Sequence, residues 1–234
     1  MAISVIIPAK NEEQNIVNLL HSLRNQEFDW SGSEIILADA NSSDATSSLA
    51  QQYCSQYDMP LIVIEGGLPA VARNSGARRA RNQLLIFMDA DIVLEDTATL
   101  SQTVAVFESQ STALVSCNIR CREDLRADFL FRSFNLIQYS SKFFKPCAST
   151  MYFAINRDVF WSKGGFDENA KHCEDVLLSK QIPKRGFKII NSTLRTYNRR
   201  FTKQGYLGFV VYFMNNLRNW NNKEYFYKDI NYWS

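Results

Sequence analysis

The chain has 234 residues, 46% of them hydrophobic and 21% charged, the composition of a globular protein with ample material for a buried core. Its 26 Lys and Arg stand among 24 Asp and Glu, for a net charge of +2, so no polyanionic partner and no nucleic acid is indicated. Five cysteines (Cys54, Cys117, Cys121, Cys147, Cys173) contain no CxxC pair, and no histidine cluster completes the spacing of Cys117 and Cys121 into a zinc site. Reduced thiols of a cytoplasmic protein are expected. The opening MAISVIIPAKNEE has no basic leader, and the longest apolar run, 206–214, falls short of the ~20 residues of a membrane span. A cytoplasmic protein is expected, with peripheral contact at the inner membrane face left open.

In chain order, apolar runs rich in β-branched residues predict strands at 3–7, 34–39, 61–65, 84–88 and 113–117. Helical spacing predicts helices at 12–25, 43–57, 69–81 and 97–107, with N-cap candidates for the second in Asn41-Ser42-Ser43-Asp44. Strand and helix alternating at this pace predicts an α/β fold, a mostly parallel central sheet with helices on both faces. The second half is less regular. A helix rich in aromatics is expected at 123–144, strands at 150–155 and 187–191, and a helix at 174–185 with Pro183 marking its last turn. Gly164-Gly165 predicts a turn, and a final helix is expected from Gly205 to about Trp220. No repeat or low-complexity linker divides the chain, which predicts one domain over 1–234.

Ligands of open parallel sheets bind beyond the carboxyl ends of the strands, so polar residues directly after each strand carry the functional information. Pro8-Ala9-Lys10-Asn11-Glu12-Glu13 follows the first strand, where Pro8 has no N–H to extend the ladder and the acids suit a helix start. Asp39 ends the second strand, where it can hydrogen-bond a base or ribose or serve a helix cap. Arg73, beside Asn74 and Gly76, can reach a diphosphate bidentately or simply face solvent. Asp89-Ala90-Asp91 follows the very apolar Leu84-Leu85-Ile86-Phe87-Met88. Two carboxylates there repel and are costly to desolvate without a cation, and Mg²⁺ and Mn²⁺ favour such oxygen ligands. Last come Gly164-Gly165-Phe166-Asp167-Glu168 and His172-Cys173-Glu174-Asp175, where the glycines permit close backbone approach to a ligand and the acids open a helix. Such a helix start favours an ionised carboxylate.

The order of these clusters, from PAKNEE through ADANSSDAT, ARNSGA, FMDADI, GGFDE and CEDVLLSKQIPKRGFKI, resembles family 2 glycosyltransferases of the GT-A fold over about residues 2–191. The resemblance implies an inverting, hexosyltransferase-like enzyme that moves a sugar from a nucleotide diphosphate-sugar to an acceptor hydroxyl, a saccharide or a lipid-linked molecule of cell-surface polysaccharide or glycolipid synthesis. It implies a nucleotide-sugar half over 1–118, an acceptor and catalytic half over 119–200 and a helical tail over 201–234. Pro8, Ala9, Asn11, Glu12 and Asp39 would line the nucleoside site, Arg73 would approach the diphosphate, and Asp89 the ribose or metal. Asp91 would hold Mn²⁺ or Mg²⁺ and Asp175 would be the base. Glu174 would orient the acceptor, and Arg199 and Arg200 would lie near acceptor or diphosphate. The family often carries a second acid where Ala40 stands, which loosens the choice of nucleotide; UDP is expected.

Two rival classes remain. A sugar nucleotidyltransferase usually shows a glycine-rich basic loop near the first strand, whereas Pro8 to Glu13 is acidic and lacks glycine. An inactive nucleotide-sugar-binding relative would have little use for Asp89, Asp91 and Asp175 together.

Overall fold

The computed structural model describes residues 1–109 and 111–228, apart from the side chains of residues 200 and 202–204. The elements are β1 (Ile3–Ala9), α1 (Ile16–Arg24), β2 (Glu34–Asp39), α2 (Thr46–Gln56), β3 (Leu61–Glu65), α3 (Pro69–Arg79), β4 (Leu84–Phe87), β5 (Ile92–Leu94) and α4 (Thr99–Ser109). Then follow β6 (Leu114–Arg120), α5 (Leu125–Ser141), β7 (Phe153–Asn156), α6 (Arg157–Ser162), α7 (Glu174–Ser179), β8 (Phe187–Thr196) and α8 (Arg199–Arg218). The eight strands form one sheet in the order β3-β2-β1-β4-β7-β6-β8-β5. The first four are parallel. β7 runs antiparallel to both β4 and β6, β6 and β8 are parallel, and β5 closes the far edge antiparallel to β8.

Alternating side chains build a core on each face of the sheet. Ile3, Val5 and Ile7 of β1 point to one face, where Leu19, Leu20 and Leu23 of α1 meet them together with residues of α2, α4 and α5. Ile6, Ile36, Leu85 and Phe87 point to the other, where Ala70 and Ala77 of α3, Phe160 of α6 and Leu178 of α7 cover them. The helix-on-sheet contact is tightest at Gly76, where a Cβ would lie 2.4 Å from Cγ2 of Ile6.

Several predicted boundaries move. β1 runs through Pro8 to Ala9, because the ladder toward β2 continues with the Ala40 N–H donating to the Ala9 carbonyl at 2.8 Å. The helix expected over 174–185 ends at Ser179, and residues 184–186 form a 3-10 turn after Pro183. Proline disfavours helical backbone in the residue before it. The last helix begins at Arg199, before Gly205, whose backbone (φ 70°, ψ 159°) breaks it in two. β5 and α6 were not foreseen. All five cysteines are free thiols. Among the described residues no helix is long and apolar enough to cross a membrane.

Candidate active site

Parallel pairing brings Ala9, Asp39 and Glu65 to one level at the carboxyl edge of the sheet. Two loops are laced together there. Asn11, in the left-handed region (φ 55°), donates its N–H to Ser42 Oγ at 3.0 Å and accepts from the Ser43 N–H at 2.9 Å. The Glu12 N–H donates to Thr46 Oγ1 at 2.7 Å, the Glu13 N–H to Asp44 at 3.1 Å, and the Ala45 N–H to the Glu13 carboxylate at 3.1 Å. Asp39 accepts from the Ser42 N–H, the Ser42 hydroxyl and the Ser47 hydroxyl at 3.1, 2.5 and 2.6 Å. Asn11 and Asp39 thus hold the rim rigid, while Pro8, Ala9, Lys10, Asn11, Glu12 and Ala40 form one wall of a cleft of about 740 Å³.

Gly67, Leu68, Pro69, Arg73, Asp89, Ala90, Asp91 and Arg199 complete this cleft. Arg73 and Arg199 carry its electrostatics. Arg73 is 2% exposed; it donates to Asp89 at 2.7 Å and, more closely, to Glu174, a residue 101 positions away. Burial opposes its charge, but the two carboxylates more than offset that and hold the guanidinium firmly protonated. Arg199 reaches Glu12 at 2.6 Å and Asp91 at 3.1 Å. It thus bridges the loop after β1 to the loop after β4. The Arg200 side chain lies outside the described residues. The solvated-face reading of Arg73 does not apply.

Asp89 and Asp91 offer only carboxylate oxygens, the hard donors that Mg²⁺ and Mn²⁺ prefer. Among the described residues no third acid, His or Cys joins them to form a closed cage. That arrangement fits an ion held by one or two protein carboxylates and completed by phosphate and water in the adjoining cleft, and does not fit a structural zinc site.

A second pocket, about 210 Å³, shares Arg73 with the cleft. Glu174 and Asp175 form its polar end, and Phe131, Phe134, Phe209, Val210, Phe213 and Leu217 form apolar walls. α7 presents the acids after Cys173 turns the chain through the left-handed region (φ 55°). The Gly164-Gly165 loop before it is tied to α3: Asn74 accepts from the Phe166 N–H at 3.0 Å and donates to the Phe166 carbonyl at 2.8 Å. At Gly165 (φ +73°) a Cβ would sit 2.9 Å from Asn74 Oδ1, so the close approach this glycine permits is to protein, whereas a Cβ at Gly164 would meet nothing within 4 Å.

Asp175 accepts from the Val176 N–H at 2.8 Å and the Thr150 N–H at 3.2 Å. Burial first, and then the neighbouring Glu174 charge, push its carboxyl up to about 7, against the pull of Arg73 and the two N–H groups. The expectation that a helix start keeps this carboxylate readily ionised is reversed, because desolvation outweighs two hydrogen bonds. The result is a group poised near neutral pH, as a general base requires. Glu174 pairs with Arg73 and so links the cleft to the second pocket. The walls come from the aromatic-rich helix expected at 123–144 and from the final helix, although their place beside Asp175 was not legible from spacing.

A family model described as Glycosyl transferase family 2 matches residues 4–163. Glycosyltransferase AglE of Haloferax volcanii is 27% identical over 192 residues, covering 80% of this chain and 63% of that protein. Among solved structures, the mannosyltransferase PcManGT from Pyrobaculum calidifontis, in complex with GDP-Man and Mn²⁺, superposes with a TM-score of 0.69 at 20% identity, over 92% of this chain and 64% of that one. TarS 1–349 of Staphylococcus aureus, in complex with UDP-GlcNAc, superposes with a TM-score of 0.66 at 19% identity, over 84% and 58%. The chain thus spans less than two thirds of the length of each of these three proteins, and these likenesses establish the GT-A fold. With the matched segment carrying both loops of the rim, Arg73 and the two acids after β4, the chain belongs to glycosyl transferase family 2.

Proposed function

We propose that the protein transfers a sugar from a nucleotide diphosphate-sugar, a UDP-sugar by preference, to an acceptor hydroxyl with inversion, at the cytoplasmic side of cell-surface polysaccharide or glycolipid synthesis. One observation carries the reading: a larger cleft bordered by Asp89 and Asp91 and a smaller pocket lined by Glu174 and Asp175 meet at a single buried residue, Arg73. The cleft, within residues 1–118 except for Arg199, takes the donor; the pocket takes the acceptor. UDP-GlcNAc in TarS and GDP-Man in PcManGT support a nucleotide-sugar donor, and Mn²⁺ in the latter supports a divalent cation.

Asp91 with Asp89 would hold Mn²⁺ or Mg²⁺, which when bound supplies positive charge against the diphosphate. Arg199, which bridges Glu12 and Asp91, adds positive charge at the cleft. Asp175 accepts the acceptor hydroxyl proton as that oxygen bonds to the anomeric carbon. The bond from that carbon to the diphosphate breaks with its electron pair leaving on the nucleotide. A single displacement of this kind inverts the centre. Arg73 and Glu174 fix the position of Asp175 relative to the cleft, which matters because in-line geometry supplies much of the rate.

The test is a screen of nucleotide-sugars for thermal stabilisation with and without Mn²⁺. A true donor at ~100 times its Kd adds about 2.7 kcal/mol. Asp91→Ala is expected to lose the metal-dependent part of that shift and to abolish transfer. Full turnover in excess chelator would overturn the metal assignment.

A further inference from the structure

The outer faces of α5 and α8 carry apolar side chains that nothing in the described fold covers. On α5, Leu125, Phe129 and Leu136 recur at spacings of four and seven and share one stripe, which Phe143 and Phe144 extend past the helix end; all five are between 68% and 86% exposed. On α8, Leu207, Val211 and Met214 form a second stripe, between 58% and 82% exposed. The two helices meet through Phe134 and Phe213, whose ring centroids lie 6.3 Å apart. Exposed apolar surface of this extent marks an interaction site.

Charge indicates what covers it. Between 125 and 145 the other exposed residues are Arg126, Arg132, Tyr139, Ser140 and Lys145. Asp128, the one acid of that stretch, is buried against Arg120 at 2.6 Å and Arg132 at 3.2 Å. Residues 199–218 contain no acid at all, and Arg218 closes the helix. Exposed Glu123 stands just before α5, paired with Arg195 at 4.0 Å; within the two helices the apolar ridge is bordered by cations and carries no exposed carboxylate, which complements an anionic lipid surface. Neither helix is apolar enough to span a bilayer, so the contact is interfacial. The ridge also continues into the site, because Val210 and Leu217 are each 37% exposed and line the Asp175 pocket.

We propose that the α5–α8 face docks on an anionic lipid bilayer and that the Asp175 pocket draws an amphiphilic acceptor, a hydroxyl on a hydrocarbon chain, from that surface. The docking rests on the ridge alone; the acceptor class rests on the sugar-transfer reading.

The experiment is flotation of the full chain with phosphatidylcholine vesicles, with and without phosphatidylglycerol. The protein is expected to float with the anionic vesicles and to be released by high salt. Phe143→Ser with Phe144→Ser and Leu207→Ser is expected to weaken binding by about tenfold or more, with donor-dependent thermal stabilisation unchanged. Because those positions are exposed, the variant should fold; Arg126→Glu with Lys145→Glu provides an independent second test with the same expected loss. Protein that stays soluble with anionic vesicles, or variants that float as well as wild type, would overturn the docking. So would a dimer in solution that the Phe143, Phe144 and Leu207 changes dissociate, since a second copy would then occupy the face. Flotation without any sugar transfer would leave docking intact and sink the transfer reading, and transfer without flotation would do the reverse.

Discussion

Removing the cation that joins cleft to pocket is a quantitative probe of the site. Arg73→Met keeps the aliphatic volume but deletes a guanidinium that is 2% exposed and serves both Asp89 and Glu174. Breaking a buried ion pair by losing one partner costs about 3–5 kcal/mol, because the other charge stays buried and unpaired. Asp89 borders the open cleft and can take up water, so most of the loss falls on Glu174, whose side chain is 5% exposed. For a chain of 234 residues, each kcal/mol is worth about 2–4 °C, which predicts a melting point lower by roughly 6–20 °C. Urea unfolding and thermal melts measure it directly. The double variant Arg73→Met with Glu174→Gln should recover more than half the loss, since the stranded charge is gone. A single-variant loss below about 1 kcal/mol, or a double variant no better than the single, would refute the reasoning.

Gly76→Ala places a methyl 2.4 Å from Ile6 Cγ2 inside the core, and overpacking of that kind costs about 1–3 kcal/mol, read as a lower urea midpoint. The raised Asp175 carboxyl makes a signed prediction about pH. Its folded-state value, about 7, exceeds the ordinary 3.8, so the folded protein binds more protons between them, and this group's contribution to stability is lost as pH rises through that window. Asp175→Asn has no charge to bury, so its melting point should gain on wild type from pH 5 to pH 8; a gap that stays constant, or moves the other way, contradicts the burial-driven shift.

The first half of the fold was legible because its strands are short apolar runs bounded by polar residues, and β2 and β3 fall where the residue pattern put them. β5 was not, since Ile92-Val93-Leu94 is only three residues long and its partner, β8, lies about a hundred residues downstream. α6 escaped for a similar reason: six residues carry too little periodicity, although Asn156 accepts from the Asp158 and Val159 N–H groups as a proper cap. In the site, the acids after β4 announced themselves by their apolar lead-in. The way they are held did not, because Arg73 meets Glu174 101 positions away and Arg199 meets Glu12 187 positions away. Sequence gives candidates along the chain, whereas the sign of the Asp175 shift depends on burial and on a neighbour's charge, which exist only once the chain is folded.

The central claim is that Asp175 takes the acceptor proton during transfer from a nucleotide-sugar bound in the adjoining cleft. Transfer by Asp175→Asn, measured at saturating donor and Mn²⁺ alongside donor affinity, tests it most directly. The account predicts donor binding within about twofold of wild type and transfer slower by about 10²-fold or more. Transfer at the wild-type rate by folded, donor-bound Asp175→Asn would contradict it.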